Sequence, residues 1–317
     1  MKKALVLGAS GGMGYAIVHE LVGRGVETVA FARNEERLNS LFGNIPGVSI
    51  VPGDVANLED LQEAADGVDV IFHAMNIPYE QWESSLATLV KNILAVAELV
   101  GAKLAVVDNI YAFGRSGGKK ITEDHLKNPH TKKGKIRLQT ENIIKSSTVP
   151  YVIAHFPDFY GPNATNAILH YTLKDVVEGK KAGFVGNKQI EREFIFTPDG
   201  AKAIVELSLT EAAYGQNWNI PATKPITGKE VEAILRNHFH YTKSFYTIHK
   251  FMIGALGLFQ PQMREVVEML YITEEPTILD GSKYEKLIGP LPKTSYEDGL
   301  RETLDYLKKE VLEKVGI

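Results

Sequence analysis

The sequence predicts an α/β protein whose larger part is a doubly wound parallel sheet, followed by a smaller C-terminal region. Over residues 1–155, short and nearly all apolar runs alternate with helical patterns, as in repeated βαβ units. The first of these runs leads directly into a glycine-rich turn. After residue 155 the alternation gives way to shorter pieces separated by proline and glycine, which indicates a second, differently built region.

Six strands are predicted in the first part of the chain, because each run is short and apolar throughout, as in strands covered on both faces. They are Lys3–Leu7, Thr28–Ala32, Val48–Val51, Val68–His73, Leu104–Val107 and Tyr151–His155. Helices are predicted between them, most clearly over Tyr79–Val100, where apolar residues recur at helical spacing before Gly101. A further helix is predicted over Lys132–Ser146.

The turn after the first strand has the spacing of a dinucleotide-binding loop. Its spaced glycines allow a tight turn, bring backbone N–H groups close to a pyrophosphate, and let the following helix, Tyr15–Arg24, pack on the strand. The partly positive helix N-terminus then faces the phosphates. This context predicts a Rossmann-type sheet with a cofactor site in the turn. The candidate cofactor-binding residues there are Gly8, Ser10, Gly11, Gly12, Met13 and Gly14.

The predicted Rossmann core spans residues 1–155, with returning pieces near 194–220. These pieces are a helix over Asp199–Leu209 and a strand over Asn217–Ile220. Residues 156–193 and 221–317 form the predicted substrate region, which closes with an amphipathic helix over Tyr296–Val315.

Composition narrows the class of protein. The 317 residues, 44% of them hydrophobic, suffice for a sizeable core, and a net charge of -4 argues against a general nucleic-acid binder. The absence of cysteine excludes disulfides and suits a reducing cytoplasm. The first apolar run is too short for a signal peptide, and the stretch Phe251–Phe259 is too short to span a membrane and is predicted to be a buried helix. We therefore expect a cytoplasmic protein without a membrane partner.

Together with the spaced glycines, several short segments in the same order resemble the extended short-chain dehydrogenase/reductase superfamily, which includes sugar-nucleotide epimerases and dehydratases. Asp54 and Val55 follow the third strand, His73 and Ala74 close the fourth, and Pro157 follows the sixth. The resemblance implies that Asp54 contacts the adenine and that the other four residues line the cofactor.

The end of the second strand bears on which dinucleotide binds. The segment Ala30-Phe31-Ala32-Arg33-Asn34 lacks the carboxylate that usually binds the ribose hydroxyls of NAD. It offers Arg33 instead, whose guanidinium can bind a 2′-phosphate through two hydrogen bonds. The sequence therefore predicts NADP. The alternative left open is that Arg33 is the solvated start of the next helix and that the site also accepts NAD.

The catalytic residues implied by the resemblance are absent. The superfamily uses a serine or threonine after the fifth strand, and a tyrosine four residues before a lysine on the next helix. Here Asn109 stands at the first position, Lys133 at the tyrosine and Arg137 at the lysine. A shift of two residues would pair Thr131 with Lys135 and also lacks the tyrosine. The chain therefore resembles the atypical members of the superfamily.

Two sets of residues could replace the missing acid. Lys133 and Arg137 share one helix face, so Lys133 could serve as acid, base or electrophile while Arg137 holds a ribose or phosphate. Alternatively, these two residues and Glu141 form a solvated face. Tyr111 is a second candidate acid, with packing as its alternative role. Asn109 can donate a hydrogen bond to a carbonyl oxygen but does not readily exchange a proton.

The remaining charged residues give no further site. No metal site is predicted. The lysine-rich stretch is interpreted as a solvated surface, with attraction of an anionic substrate as the alternative. Its members are Lys119, Lys120, Lys127, Lys132, Lys133 and Lys135.

The predicted function is NADP-dependent hydride transfer to or from a carbonyl or secondary alcohol of a small molecule, with anionic and sugar-nucleotide substrates both left open. Two alternatives remain. One is a non-catalytic regulator that senses NADP, and the other is an NAD-dependent sugar-nucleotide epimerase or dehydratase. A homodimer is also left open.

Overall fold

The computed structural model describes residues 1–315, and its central feature is a parallel β-sheet between two layers of helices. The strands are β1 (Lys3–Leu7), β2 (Glu27–Ala32), β3 (Val48–Pro52), β4 (Val70–His73), β5 (Lys103–Asn109), β6 (Tyr151–Phe156), β7 (Asp158–Tyr160), β8 (Gly183–Val185), β9 (Phe194–Phe196), β10 (Gln216–Asn219) and β11 (Tyr246–Ile248). The helices are α1 (Gly12–Gly23), α2 (Glu35–Phe42), α3 (Leu58–Ala64), α4 (Ala87–Val100), α5 (Lys132–Lys145), α6 (Ile168–Val177), α7 (Thr197–Leu209), α8 (Gly228–Phe239), α9 (Lys250–Leu256), α10 (Pro261–Val267), α11 (Ser282–Leu287) and α12 (Tyr296–Val315).

The main sheet has the strand order β10-β6-β5-β4-β1-β2-β3, and every pairing within it is parallel. The chain moves outward from β1 in one direction through β2 and β3, and in the other through β4, β5 and β6. The predicted doubly wound α/β fold is therefore confirmed. Ligands of such sheets bind beyond the carboxyl ends of the strands where this order reverses, which here is between β1 and β4.

Both faces of the sheet are buried. In β1, Ala4 and Val6 enter the hydrophobic cluster formed with α1 and α7, whereas Leu5 and Leu7 enter the cluster formed with α3 and α4. All four side chains are fully buried. This double coverage explains why the strands are apolar throughout rather than alternating.

The long helix predicted over Tyr79–Val100 is interrupted. A 3-10 turn at Tyr79–Gln81 and a π-helical turn at Trp82–Leu86 precede α4. The indole N–H of Trp82 donates a hydrogen bond of 2.9 Å to the carbonyl of Ile77, which folds the start of this segment back on the loop after β4. Tyr79 and Trp82 therefore lie at the carboxyl edge of the sheet.

The C-terminal region contains two small parallel pairs, β7 with β9 and β8 with β11. The prediction of a buried helix over Phe251–Phe259 is wrong. Helix α9 ends at Leu256 and contacts α10 through one face, so that Ile253 is buried while Phe251 and Phe259 are 74% and 86% exposed. In residues 1–315 no helix combines the length and the apolarity that crossing a membrane requires.

The prediction that the lysine-rich stretch is a solvated surface is wrong for Lys127, whose side chain is only 10% exposed. Its ammonium contacts the carboxylate of Glu141 and lies 2.9 Å from Nε2 of His155. The amide of Asn217 also donates to Glu141, over 2.9 Å. Burial by itself would raise the pKa of Glu141, but hydrogen bonds and charge from His155 and Lys127 outweigh it and lower that pKa.

This cluster has the donor set of a metal site, since oxygen and nitrogen atoms of Asp108, Glu141 and His155 lie within 4.8 Å of one another. The ammonium of Lys127 contacts two of the three residues. The positive charge that balances the buried carboxylate is therefore a side chain of the protein.

Replacing Lys127 with methionine is expected to lower the free energy of unfolding by about 3–5 kcal/mol, because Glu141 would stay buried without the less exposed of its two lysine partners. Lys145→Met is the matched control, since Lys145 lies 2.6 Å from the same carboxylate but is 38% exposed, against 10% for Lys127. An exposed pair contributes at most about 1 kcal/mol. Urea unfolding of both variants measures the difference, and equal losses would contradict the assignment.

Candidate functional site

The turn after β1 is closed by contacts that only glycine permits. Gly8 has a φ of +79°, in the left-handed region, and a Cβ there would lie 2.6 Å from Cα of Met75. A Cβ on Gly14 would lie 2.1 Å from the carbonyl oxygen of Gly8. Helix α1 therefore starts in direct contact with the end of β1.

The start of α1 suits an anion. The capping residue before it, Gly11, provides no side-chain hydrogen bond to the first turn, and that turn contains no acidic residue. The first N–H groups of a helix lack partners within the helix, so they are free to bind a phosphate. This open helix end at the point where the strand order reverses fits a dinucleotide.

The other predicted residues of the turn have distinct positions. Ser10 lies at the surface of the turn, whereas the side chain of Met13 is buried, close to Gly200 of α7. Val55 is buried in the core, and Pro157 is buried between β6 and β7. For Met13 and Val55, contact with the cofactor would therefore come from the backbone.

A loop from the C-terminal region lies on the glycine-rich turn, which the sequence did not predict. Asn163, in the left-handed conformation with φ 57°, donates from its amide to the carbonyl of Ser10 over 3.0 Å. Arg37 of α2 donates to the amide oxygen of Asn163 over 2.5 Å. A Cβ on Gly12 would lie 2.7 Å from Cα of Ala164. The turn is thus covered by a segment about 150 residues away in the chain.

At the end of the site near β2 and β3, Arg33 and Asp54 are both exposed. The carboxylate of Asp54 accepts a hydrogen bond of 2.9 Å from the N–H of Ala56. The amide of Asn92 on α4 donates to the carbonyl of Val55 over 3.0 Å, which ties this loop to the central helix. Asp54 therefore lies in an ordered loop at the carboxyl end of β3, and Arg33 lies beside it at the end of β2.

At the opposite end of the site, Arg137 of α5 is buried, and Lys133 and Glu141 on the same helix are buried too. The alternative that these three residues form a solvated helix face is therefore wrong. Nη1 of Arg137 lies 3.4 Å from Oδ1 of Asp108, and its guanidinium carbon lies 4.3 Å from the ring centre of Trp82. A carboxylate and an aromatic face together fix the guanidinium. Its Nε is buried and has no hydrogen-bond partner among the described residues.

Lys133 is also buried, with 1% of its side chain exposed, and is held by two glutamates from the C-terminal region. Its ammonium contacts the carboxylate of Glu265 and lies 3.3 Å from Oε1 of Glu268. The backbone N–H groups of Lys132 and Lys133 donate to Glu268 over 2.8 and 3.2 Å. A carboxylate at this position stabilises the N-terminus of α5. The catalytic role of Lys133 stays a prediction.

Two tyrosines meet beside these cations. The hydroxyl oxygens of Tyr111 and Tyr79 lie 2.9 Å apart, and the ring of Tyr79 lies edge-on to that of Trp82 at 4.9 Å. Burial raises the pKa of both phenols, more strongly that of Tyr111. Asn109 accepts a hydrogen bond of 3.0 Å from the N–H of Tyr111, so its amide N–H₂ remains the group that could donate to a ligand.

His73, predicted to line the cofactor, ends β4 next to Ala74, which is partly buried. Burial lowers the pKa of His73 to about 4, with the charge of Arg137 acting in the same direction and that of Asp108 against it. Its Nδ1 is buried without a partner among the described residues. The imidazole is therefore neutral near pH 7.

Several residues of this end of the site were missed from the sequence. They are Asp108, Tyr79, Trp82, Glu265 and Glu268. Tyr79 and Trp82 were assigned to a regular helix, and the two glutamates lie in a segment without a recognisable motif. Asp108 was detectable only as a carboxylate in an otherwise apolar strand, directly before Asn109.

Comparisons with known proteins agree with this geometry. The model of the NAD(P)H-binding family matches residues 8–185, more than half of the chain. An uncharacterized UDP-glucose epimerase of Bacillus subtilis, YtcB, is 26% identical over 265 residues, which cover 78% of this chain and 77% of that protein. A 2-alkyl-3-oxoalkanoate reductase of Shewanella oneidensis is 31% identical over 107 residues, which cover 33% of this chain and 26% of the reductase.

Solved structures show the same fold over nearly the whole chain. A UDP-glucuronic acid 4-epimerase of Bacillus cereus in complex with NAD has a TM-score of 0.80 at 19% identity, with 97% of this chain and 99% of that chain covered. A dTDP-glucose 4,6-dehydratase of Bacillus anthracis in complex with NAD also has a TM-score of 0.80, at 18% identity and 98% and 97% coverage. Together with the family match and the similarity to YtcB, these structures confirm the resemblance predicted from the sequence motifs.

His73 is expected to make the protein less stable in weak acid. Its pKa is about 4 in the folded chain against 6.5 as the ordinary value, so the unfolded chain binds more protons between these pH values. The corresponding stability is present above pH 6.5 and is lost as the pH falls towards 4. From pH 7 to pH 5 the loss from this one group is roughly 2 kcal/mol.

Urea unfolding at pH 7 and pH 5 measures this loss. His73→Asn should be less sensitive to pH than the unmodified protein by that amount, whereas His130→Asn, which replaces an exposed histidine, should not. An unchanged pH dependence in His73→Asn would show that the imidazole is not buried as described.

Proposed function

The chain belongs to the NAD(P)H-binding family, and from that membership we propose that it transfers a hydride between NADP and a carbonyl or secondary alcohol of a small molecule. The observation that carries the proposal is the open N-terminus of α1, placed by Gly8 and Gly14 where the strand order reverses. Residues 1–155, with the pieces near 194–220, would bind the cofactor. Residues 156–193 and 221–317 would bind the substrate.

The choice of NADP over NAD rests on charge. Arg33 follows β2 and is exposed, and the segment from Ala30 to Asn34 contains no carboxylate. A guanidinium binds a phosphate through two charge-assisted hydrogen bonds, whereas a carboxylate at this position would repel it. Arg37, one turn further along α2, adds a second positive charge near the same end of the site.

At the other end of the site, different residues would bind the cofactor and polarise the substrate during hydride transfer. The bound dinucleotide would supply the hydride or accept it. Arg137, fixed by Asp108 and Trp82, would hold the ribose of the cofactor. The amide of Asn109 would donate a hydrogen bond to the substrate oxygen, which stabilises negative charge that develops there. Lys133 and Tyr111 are the two groups that the sequence predicts to move the proton.

A second candidate function is that of an NAD-dependent sugar-nucleotide epimerase or dehydratase. It is favoured by the similarity of nearly the entire chain to the epimerase and dehydratase structures that hold NAD. Such an enzyme regenerates its cofactor in each cycle, so it would retain NAD through purification. A hydride transfer between separate substrates requires the cofactor to exchange instead.

NADPH is expected to raise the melting temperature of the protein more than NADH does, because at equal concentration the ligand that binds more tightly stabilises the folded state more. Arg33→Ser should weaken NADPH binding by about 10- to 100-fold, the loss of one or two charge-assisted hydrogen bonds, and leave NADH binding unchanged. Arg301→Ser is the matched control, since Arg301 is exposed and pairs with Glu297 on α12.

Calorimetric titration of each variant with both dinucleotides gives these affinities. Equal affinities of the unmodified protein for NADPH and NADH would remove the preference for NADP. NAD that remains bound through purification would favour the epimerase or dehydratase instead. Tight NADPH binding without turnover across carbonyl and sugar-nucleotide substrates would favour a regulator.

A further inference from the structure

We propose that Tyr79 is the proton donor of the reaction and that Tyr111 is the hydrogen-bonding partner that stabilises its phenolate. The proposal rests on the hydride-transfer function proposed above. It assigns the role of the tyrosine missing from α5 to a residue of the loop that follows β4.

The topology brings the two phenols together at the proposed reaction site. Tyr79 follows β4 and Tyr111 follows β5, and these strands are adjacent and parallel, so both residues emerge at the carboxyl edge of the sheet. Their hydroxyl oxygens lie 2.9 Å apart, and both side chains are partly buried. Ligands of a doubly wound sheet bind at this edge.

The hydrogen bonds of this pair leave one proton to donate. Each phenol carries one hydroxyl proton, and the single bond between the two oxygens uses only one of them. Neither hydroxyl has another hydrogen-bond partner among residues 1–315. The second proton is therefore free for a carbonyl oxygen of a substrate, the acceptor that a hydride transfer provides.

The charges around the pair favour Tyr79 as the group that ionises. The ammonium of Lys133 lies 5.8 Å from the ring centre of Tyr79. Burial is the largest influence and raises the pKa of Tyr79, but the hydrogen bond from Tyr111 and the charge of Arg137 lower it, while Asp158 and Glu268 raise it. For Tyr111, burial, Asp158 and the Tyr79 phenol all raise the pKa. In the proposed arrangement the Tyr111 hydroxyl donates and the Tyr79 oxygen accepts, which is one of the two directions that the 2.9 Å contact permits.

Lys133 then acts as a positioning residue. In the alignment with the superfamily it stands at the position of the tyrosine on α5. Its ammonium is paired with Glu265 and Glu268. The same ammonium lies 5.8 Å from the ring centre of Tyr79, so the cluster of Lys133, Glu265 and Glu268 packs beside that ring and positions it.

The proposed step balances in atoms and charge. In reduction, the O–H bond of Tyr79 breaks and a new O–H bond forms on the substrate, whose carbonyl carbon gains the hydride supplied by the cofactor. The Tyr79 phenolate accepts the hydrogen bond of Tyr111 until a proton from solvent restores it. In oxidation, Tyr79 first loses its proton to solvent, and the phenolate then takes the proton of the alcohol while the hydride of the alcohol carbon would pass to the oxidised cofactor.

Tyr79→Phe is expected to lower kcat by about 10²- to 10⁴-fold, the usual contribution of a general acid. The KM and the affinity for NADPH should stay within about threefold, because the ring and its packing remain. Tyr151→Phe is the matched control, since the hydroxyl of Tyr151 donates a hydrogen bond to the carbonyl of Gly215 at the opposite end of the sheet. A Tyr79→Phe variant with the unmodified kcat would overturn the proposal.

The variant Tyr111→Phe distinguishes the role of Tyr111 from that of Tyr79. If Tyr111 stabilises the phenolate of Tyr79, its loss should reduce kcat less than Tyr79→Phe does and should move the alkaline limb of the pH profile to higher pH. A purely structural role would lower the rate without moving this limb. The opposite order, with the larger loss in Tyr111→Phe, would assign the donor to Tyr111 and contradict the proposal.

A measurement without turnover separates this proposal from the proposed function. With 3-fluorotyrosine in place of Tyr79, ¹⁹F NMR follows the ionisation of that phenol, whose midpoint should rise in Tyr111→Phe and fall when NADP⁺ binds. NADP⁺ that fails to bind by calorimetry would refute the cofactor proposal. Binding that leaves the ¹⁹F signal unchanged, or a midpoint unaffected by Tyr111→Phe, would refute the role of Tyr79 alone.

Discussion

The close approach of backbones at the carboxyl edge of the sheet is the constraint on which the rest of the site depends. Gly8 passes so near to Met75, and Gly14 so near to the carbonyl of Gly8, that a methyl group at either position would meet backbone atoms. This contact sets where α1 begins, and therefore where its open N–H groups point. It also brings the loop after β4, which continues to Tyr79, directly beside the turn. One steric condition thus fixes both ends of the site.

Buried charges form a second level of organisation. Lys133 and Arg137 are buried and Lys127 is only 10% exposed. Each contacts a carboxylate: Lys127 that of Glu141, Lys133 those of Glu265 and Glu268, and Arg137 that of Asp108. A buried ammonium or guanidinium without a partner would be very costly, so each pair ties together two parts of the chain. The Lys133 pairs are the most consequential, because they join α5 to the C-terminal region at the mouth of the site.

The site consequently combines one end built from consecutive elements and another end assembled from distant segments. The cofactor end is built from local backbone, in which β1, the glycine-rich turn and α1 are consecutive. The other end is assembled from the ends of β4 and β5, from α5 and from the C-terminal region.

The sequence by itself determined the fold and the cofactor turn, because apolar strands and spaced glycines act through local geometry and periodicity. The six predicted strands lie within two residues of those observed. The surroundings of Lys133, Tyr79 and Lys127 were decided only by the tertiary structure. A lysine in a polar stretch is predicted to be solvated unless its contact with a glutamate more than a hundred residues away is known. A phenol in a helical pattern likewise gives no sign of a partner that follows the next strand. Burial and charge pairing depend on contacts between distant segments, which no local pattern encodes.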